Sequence, residues 1–169
     1  MNQGNVVKAP QDSGLPEWAR DFSVTGRVVL ITGAGQGIGR ELARQFGVAG
    51  AVPVIADLNL ENANRVKAEI EDRGGRAMAL HVDVGDPASI QAMVDAVVAE
   101  LGRIDVLINN AAIFASLEKR KFEQIPQAEW DMVMRVNING PLVCSRAVAP
   151  VMRKAGWGRI INIASDAVP

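Results

Sequence analysis

Thr32-Gly33-Ala34-Gly35-Gln36-Gly37-Ile38-Gly39 sets glycine at every second position between the apolar run Val28 to Thr32 and an amphipathic stretch that opens at Ile38. The chemistry such a turn suits is the binding of a pyrophosphate. Glycines let the backbone turn tightly and approach the phosphates, and the free N–H groups at a helix start favour an anion. The spacing is T-G-x-x-x-G-x-G rather than G-x-G-x-x-G, because the residue three beyond Gly35 is Ile38. For the glycines alone, a purely structural tight turn is the alternative. Asp57 supplies a second group. It ends the run Val54-Ile55-Ala56, at about the separation where an acidic residue accepts hydrogen bonds from an adenosine ribose. Capping the following helix is the other role open to it. Its carboxylate would repel a 2'-phosphate and the neutral Gln36 offers no offsetting cation, so together they favour NAD over NADP.

The remaining reactive side chains exclude more than they suggest. One Cys and one His make neither an internal disulfide nor a zinc site without carboxylates, which fits a reducing, cytoplasmic setting. With Tyr at 0, no mechanism that needs a phenol runs on these residues. His81 reads as a core or edge imidazole, Cys144 as a buried helical thiol, and Glu118 to Lys121 as a solvated loop face. Lys+Arg 18 against Asp+Glu 19 gives no electrostatic footprint for nucleic acid or an anionic membrane, which leaves small-molecule chemistry. No run approaches the ~18 apolar residues of a membrane span, and Met1 to Phe22 lacks the apolar stretch of a signal peptide. Residues 1–22 read as a polar lead-in that Trp18 and Phe22 tack onto the domain, with a frayed tail as the alternative.

These groups need elements to hold them, and 169 residues suit one domain. From Arg27 onward, short β-branched runs alternate with amphipathic stretches, the pattern of a parallel sheet with helices on both faces. The expected strands are Val28 to Thr32, Val52 to Ala56, Ala77 to Val82, Ile104 to Ile108 and Arg159 to Ile163. Apolar stripes mark helices between them: Ile38, Leu42, Phe46, Ala49; then Ala63, Val66, Ile70; then Ile90, Val94, Val97, Leu101. Asp86-Pro87 supplies an N-cap and a first-turn proline, while Gly74-Gly75 and Gly102 follow helix ends. A longer helical region is expected from Gln127 to about Lys154, with more apolar surface than one sheet face needs, as contact with another helix or subunit would require. Gly140-Pro141 either kinks it or splits it with a loop.

From Gly26 to Ser165 the sequence resembles the short-chain dehydrogenase/reductase family. The resemblance rests on the glycine motif, Asp83-Val84 after the third strand, Asn109-Asn110-Ala111-Ala112 after the fourth, Val136-Asn137-Ile138-Asn139-Gly140 in the long helix, and Ile161-Asn162-Ile163-Ala164-Ser165 after the fifth. The family form of the fourth motif ends in Gly, so Ala112 departs from it by one methyl group. The resemblance implies a Rossmann-type doubly wound α/β sheet, truncated after the fifth strand, with residues 23–169 as an NAD-binding domain incomplete at its C-terminus. It further implies that Gly33, Gln36, Ile38 and Gly39 line the cofactor phosphates and Asp57 holds the adenosine ribose. Asp83 and Val84 would contact adenine, Asn110 and Ala111 would pack near the nicotinamide ribose, Ser165 would orient the substrate oxygen, and Asn137 would organise a water-mediated proton relay. For Asn137 the sequence adds an argument: in an unbroken α-helix its carbonyl would accept from residue 141, which is Pro141 and has no N–H, leaving that carbonyl for water. A proline kink that serves only packing is the alternative.

In this family the acid/base is a Tyr in Y-x-x-x-K, a dozen or so residues beyond the Ser, and here the sequence stops at Pro169. The resemblance therefore implies a fragment of an NAD-dependent oxidoreductase acting on a small secondary alcohol or ketone, homo-oligomeric when complete. Gly156 to Asn162 is similar to reductases of 3-oxoacyl thioesters and of secondary alcohols alike. The alternative is a catalytically inactive NAD-binding module or a partner subunit of an intact homologue.

Overall fold

The computed structural model describes residues 23–114 and 117–165; the lead-in expected over residues 1–22, with Trp18 and Phe22, lies outside the described residues. Five strands, β1 (Val28–Thr32), β2 (Val52–Asp57), β3 (Met78–His81), β4 (Val106–Asn109) and β5 (Arg159–Asn162), form one parallel sheet in the order β3-β2-β1-β4-β5. The helices between them are α1 (Gly37–Val48), α2 (Leu60–Glu71), α3 (Pro87–Leu101), α4 (Gln127–Val133) and α5 (Gly140–Ala155).

Period-two alternation divides the core. Val28 and Leu30 of β1 face a cluster with Ile90, Val94 and Val97 of α3 and Cys144 and Val148 of α5. Val29 and Ile31 face the opposite cluster, with Ala43 of α1 and Ala63, Val66 and Ile70 of α2. Central β1 is therefore buried throughout. Burial also raises the Cys144 thiol to about 11, which makes it inert. His81 is exposed at the end of β3, an edge strand. The chain runs outward from β1 to β2 and β3, then returns to the other side of β1 with β4. That reversal opens a crevice at the carboxyl ends of β1 and β4.

Helix ends follow their local signals. Asp86 caps α3 by accepting from the Ala88 N–H at 2.9 Å, Pro87 starts it, and Gly102 ends it in the left-handed region at φ +77. Across the surface of the sheet, Glu69 of α2 pairs with Arg40 of α1 at 2.9 Å. Ile104-Asp105, expected inside the fourth strand, instead leads into it. The Asp105 carboxylate accepts the Val28 N–H at 2.8 Å and is held by Arg103 and Arg27, fixing the start of β1.

The long helical region contains no loop at Gly140-Pro141. Between α4 and α5, Met134–Asn139 adopts the wider π register, and the Gly140 N–H donates to the Arg135 carbonyl. The next bond in that register has no donor, since residue 141 is proline, and the chain resumes as α5. The expectation for Asn137 assumed an unbroken α-helix; here Pro141 withholds its N–H from the Val136 carbonyl in the π register and from the Asn137 carbonyl in the α register that resumes.

Among the described residues, two apolar surfaces are open. Trp130, Met134, Ile138 and Leu142 are exposed at four-residue spacing along the helical region. On β5, Ile160 and Ile161 are 41% and 43% exposed, so among the described residues nothing fully covers either face of that strand. An edge strand with unpaired backbone groups and bare isoleucines is a template for association. The isolated 169-residue chain should therefore sediment as oligomers or aggregates at micromolar concentration; a clean monomer with cooperative unfolding would count against this.

Candidate functional site

A cleft of about 890 Å³ runs along the carboxyl ends of the strands. Its lining includes seven of the residues singled out from sequence: Gly33, Gln36, Asp57, Asp83, Val84, Asn110 and Ala111. Ile38 is 67% exposed in the first turn of α1, and Gly39 is buried beneath the turn. Ser165 lies three residues beyond β5, exposed and outside the lining.

The glycine turn is shaped by contacts that a side chain would abolish. Gly33 sits at φ +65, and a Cβ there would come 2.8 Å from the Ala111 Cα. A Cβ on Gly39 would fall under 3.0 Å from the Gly33 carbonyl oxygen, the Asn110 amide nitrogen and the Ala34 Cα. The backbone packs this closely because Asn110 is drawn into it: its Nδ2 donates to the Thr32 and Gly33 carbonyls at 3.0 and 3.1 Å. The Thr32 hydroxyl accepts the N–H groups of Asn110 and Ala111, both at 3.1 Å. Gln36 at the N-cap of α1 makes no side-chain cap bond, and no acidic residue stands in the first turn. The helix start is thus shaped to receive an anion from the cleft, which fits a cofactor pyrophosphate.

Asp57 is not the cap of the next helix. Asn59 is, accepting the Asn62 N–H at 3.0 Å. The two Asp57 oxygens instead accept the N–H groups of Gly35 at 2.7 Å and Asn59 at 2.9 Å, which fixes the carboxylate beside the glycine turn. Each oxygen retains a lone pair for a further donor, as a ribose diol would supply. Among the described residues, no Lys or Arg lines the cleft. Asp83 is held locally: its Oδ1 accepts the Gly85 N–H at 2.8 Å, and its own N–H donates to the Ser89 hydroxyl at 3.0 Å.

At the other end, the Asn137 amide clasps one residue of the loop after β4. Its Oδ1 accepts the Ile113 N–H at 2.8 Å and its Nδ2 donates to the Ile113 carbonyl at 2.9 Å. Ile113 and Val136 also line the cleft. Thr32 and Asn109, which sequence reasoning did not single out, hold the loops together. Asn109 is 4% exposed and donates to the Asn162 Oδ1 at 2.8 Å. Two consecutive asparagines after an apolar strand were the available signal, since adjacent residues of extended chain face opposite sides. Leu58, Leu60, Asn62 and Val82 complete the lining near Asp57 and Asp83 without a motif of their own. Among the described residues, no group of His, Cys, Asp and Glu could hold a metal ion, and no helix is long and apolar enough to cross a membrane.

The family model described as short chain dehydrogenase matches residues 27–168. D-threitol dehydrogenase of Mycolicibacterium smegmatis is 40% identical over 147 residues, covering 87% of this chain and 55% of that protein. A metagenomic short-chain oxidoreductase solved in complex with NADP superposes with a TM-score of 0.80 at 38% identity, covering 86% of this chain and 65% of the other. A 7α-hydroxysteroid dehydrogenase complexed with NADH and 7-oxo glycochenodeoxycholic acid superposes at 0.78 with 37% identity, covering 84% and 54%. The chain spans about half the length of the curated relatives it matches.

Gly39 tests the close packing of the turn. Gly39→Ala forces a methyl group against backbone atoms and should cost about 1 to 3 kcal/mol and weaken dinucleotide binding. Denaturant midpoints and NADH fluorescence titration on the two proteins check this, and unchanged values for both would refute the packing argument.

Proposed function

Because the chain belongs to the short-chain dehydrogenase family, we propose that residues 23–169 form the cofactor-binding part of an NAD-dependent oxidoreductase acting on a secondary alcohol or ketone. The bound nicotinamide would give hydride to, or take it from, the carbinol carbon. The observation that carries the cofactor assignment is the Asp57 carboxylate, fixed by the Gly35 and Asn59 N–H groups at a cleft lined by no Lys or Arg among the described residues. A 2'-phosphate placed there would meet a negative charge with no cation to offset it. Solved relatives include one complex with NADP and one with NADH, so the preference rests on these residues of the chain itself.

In this reading Gly33, Gln36, Ile38 and Gly39 form the turn that takes the pyrophosphate, and Asp57 accepts from the adenosine ribose. Asp83 and Val84 flank adenine. Asn110 and Ala111, positioned by the Thr32 hydroxyl, face the nicotinamide ribose. Asn137 sets the height of the loop at Ile113 and belongs to the proton relay, while Ser165 hydrogen-bonds the substrate oxygen and orients it. The proton itself must come from elsewhere, because the 169 residues contain no Tyr. That same absence favours a second reading, an inactive NAD-binding module or a partner subunit of an intact homologue.

Cofactor titrations should show tighter NADH than NADPH binding by the wild type, with the gap narrowed in Asp57→Ala. Tighter NADPH binding by the wild type would defeat the NAD assignment. The two readings separate on activity. The 169-residue chain should not turn over, while a protein carried on through a Y-x-x-x-K segment should, with a gain of at least ~10² to 10⁴ from general acid/base assistance. Ser165→Ala in the extended protein should remove much of that gain. The measurement is NADH absorbance with secondary alcohols and 3-oxo compounds, and turnover by the purified 169-residue chain would overturn the mechanism.

A further inference from the structure

At the amino end of β2, a groove of about 410 Å³ lies between the last turns of α1 and α2. It shares no lining residue with the cleft at the other end of that strand, and the length of β2 sets the two roughly 16 Å apart. Arg44, Arg73 and Arg76 line the groove with a single carboxylate, Glu69. Glu41 holds Arg44 from outside the lining at 2.7 Å, and Arg40 holds Glu69 at 2.9 Å. These outer partners cancel, and the lining keeps a surplus of two positive charges in a chain whose net charge is −1. Glu71 pairs with Lys67, and Asp72 lies outside the lining. Guanidiniums near helix ends ordinarily serve the last carbonyls. Here the N–H groups of the following turns already bond them, those of Ala49, Gly50 and Ala51 at α1 and those of Asp72, Arg73 and Gly74 at α2. Capping therefore does not account for the arginines. Arg73 is exposed and pairs with no carboxylate among the described residues. Beside it Gly74, at φ +79, has open space where a Cβ would stand, and Val48 across the groove is 69% exposed.

We propose that this groove is a second binding site, separate from the cofactor cleft, and that it takes a small organic phosphate monoester. Such a group carries about −1.5 to −2 charge at neutral pH, which matches the surplus. Its oxygens suit the planar forks of Arg73 and Arg76 on the α2 side and of Arg44 on α1. A carboxylate would leave one positive charge unmatched. The volume of the groove exceeds what a bare ion fills, so an organic body has room over Val48 and the open face of Gly74.

The test is equilibrium dialysis of the 169-residue chain against phenyl phosphate, inorganic phosphate and benzoate, with amide exchange to locate the bound probe. The groove lies on the sheet face away from α5 and three strands from β5, so self-association through the open apolar surfaces leaves it accessible. Phenyl phosphate should bind saturably, about tenfold tighter than benzoate and tighter than inorganic phosphate, and should slow exchange in residues 72–76. The double variant Arg73→Ala/Arg76→Ala should weaken it about ten- to a hundredfold at an unchanged denaturant midpoint, and Arg73→Lys/Arg76→Lys should recover part of the loss. Unchanged affinity in the alanine variant would overturn the proposal. So would protection confined to residues 33–39, which would put the probe in the cleft. Benzoate or inorganic phosphate bound as tightly as phenyl phosphate would overturn the monoester, and absence of saturable binding would overturn the site.

Discussion

The exit of β4 is the constraint on which the cleft depends. Successive residues of an extended chain point to opposite faces, so Asn109 follows Leu107 toward α5, and Asn110 follows Ile108 toward α1. Asn110 spends its amide on the Thr32 and Gly33 carbonyls, Asn109 on Asn162, Ser145 and Pro141. Three strand exits and a helix start are thus tied through two adjacent side chains. Buried amides are costly unless satisfied, and a satisfied network in low dielectric holds one geometry. An apolar side chain in place of Asn110 would take the amide donor from the Thr32 and Gly33 carbonyls, and one in place of Asn109 would take it from the Asn162 amide oxygen.

Glycine is the complement to that network. The Asn110 amide can reach the Gly33 carbonyl only because Gly39 leaves room above it, and Asp57 can accept the Gly35 N–H only because Gly35 lacks a Cβ, which would sit 2.9 Å from its carboxyl carbon. The turn is therefore bounded on both sides by polar side chains from neighbouring strands. No side-chain cap covers the start of α1. Shape and charge have the same origin here: the contacts that narrow the turn also fix the carboxylate that would discriminate between cofactors.

Much of this was readable from residues. The apolar runs placed the strands to within a residue or two, and Asp86-Pro87 and Gly102 bounded α3, because caps and glycine ends act over a few neighbouring residues. The early start expected for the fourth strand failed at Ile104-Asp105 for a tertiary reason: Asp105 is used to hold Val28 and the flanking arginines. Asp57 left two roles open in sequence, and the presence of Asn59 two residues on decides against the cap. Seven of the expected site residues line one cleft, whereas Ser165 stands apart from it. What sequence could not reveal was pairing between distant asparagines, since Asn109 and Asn162 are brought together only by sheet register.

The π turn is the least readable feature and touches both ends of the cleft. A Cβ on Gly140 would come 3.0 Å from the Val84 carbonyl, and one on Gly85 would come 3.3 Å from the Arg135 guanidinium, so the turn packs against the loop after β3. Asn137, in the same turn, clasps Ile113 on the opposite side. No local signal separates α from π register in Met134–Asn139, because the residue types suit either. Only the proline at 141 marks where the wider register must end, by withholding the next donor. Steps of four along an α-helix drift round its axis, since a turn takes 3.6 residues. The wider turn absorbs that drift and keeps Trp130, Met134, Ile138 and Leu142 on the exposed side while Val136 and Asn137 stay toward the cleft. The extra width of one turn thus reconciles two demands on a single helix, an open apolar face outside and a fixed amide inside.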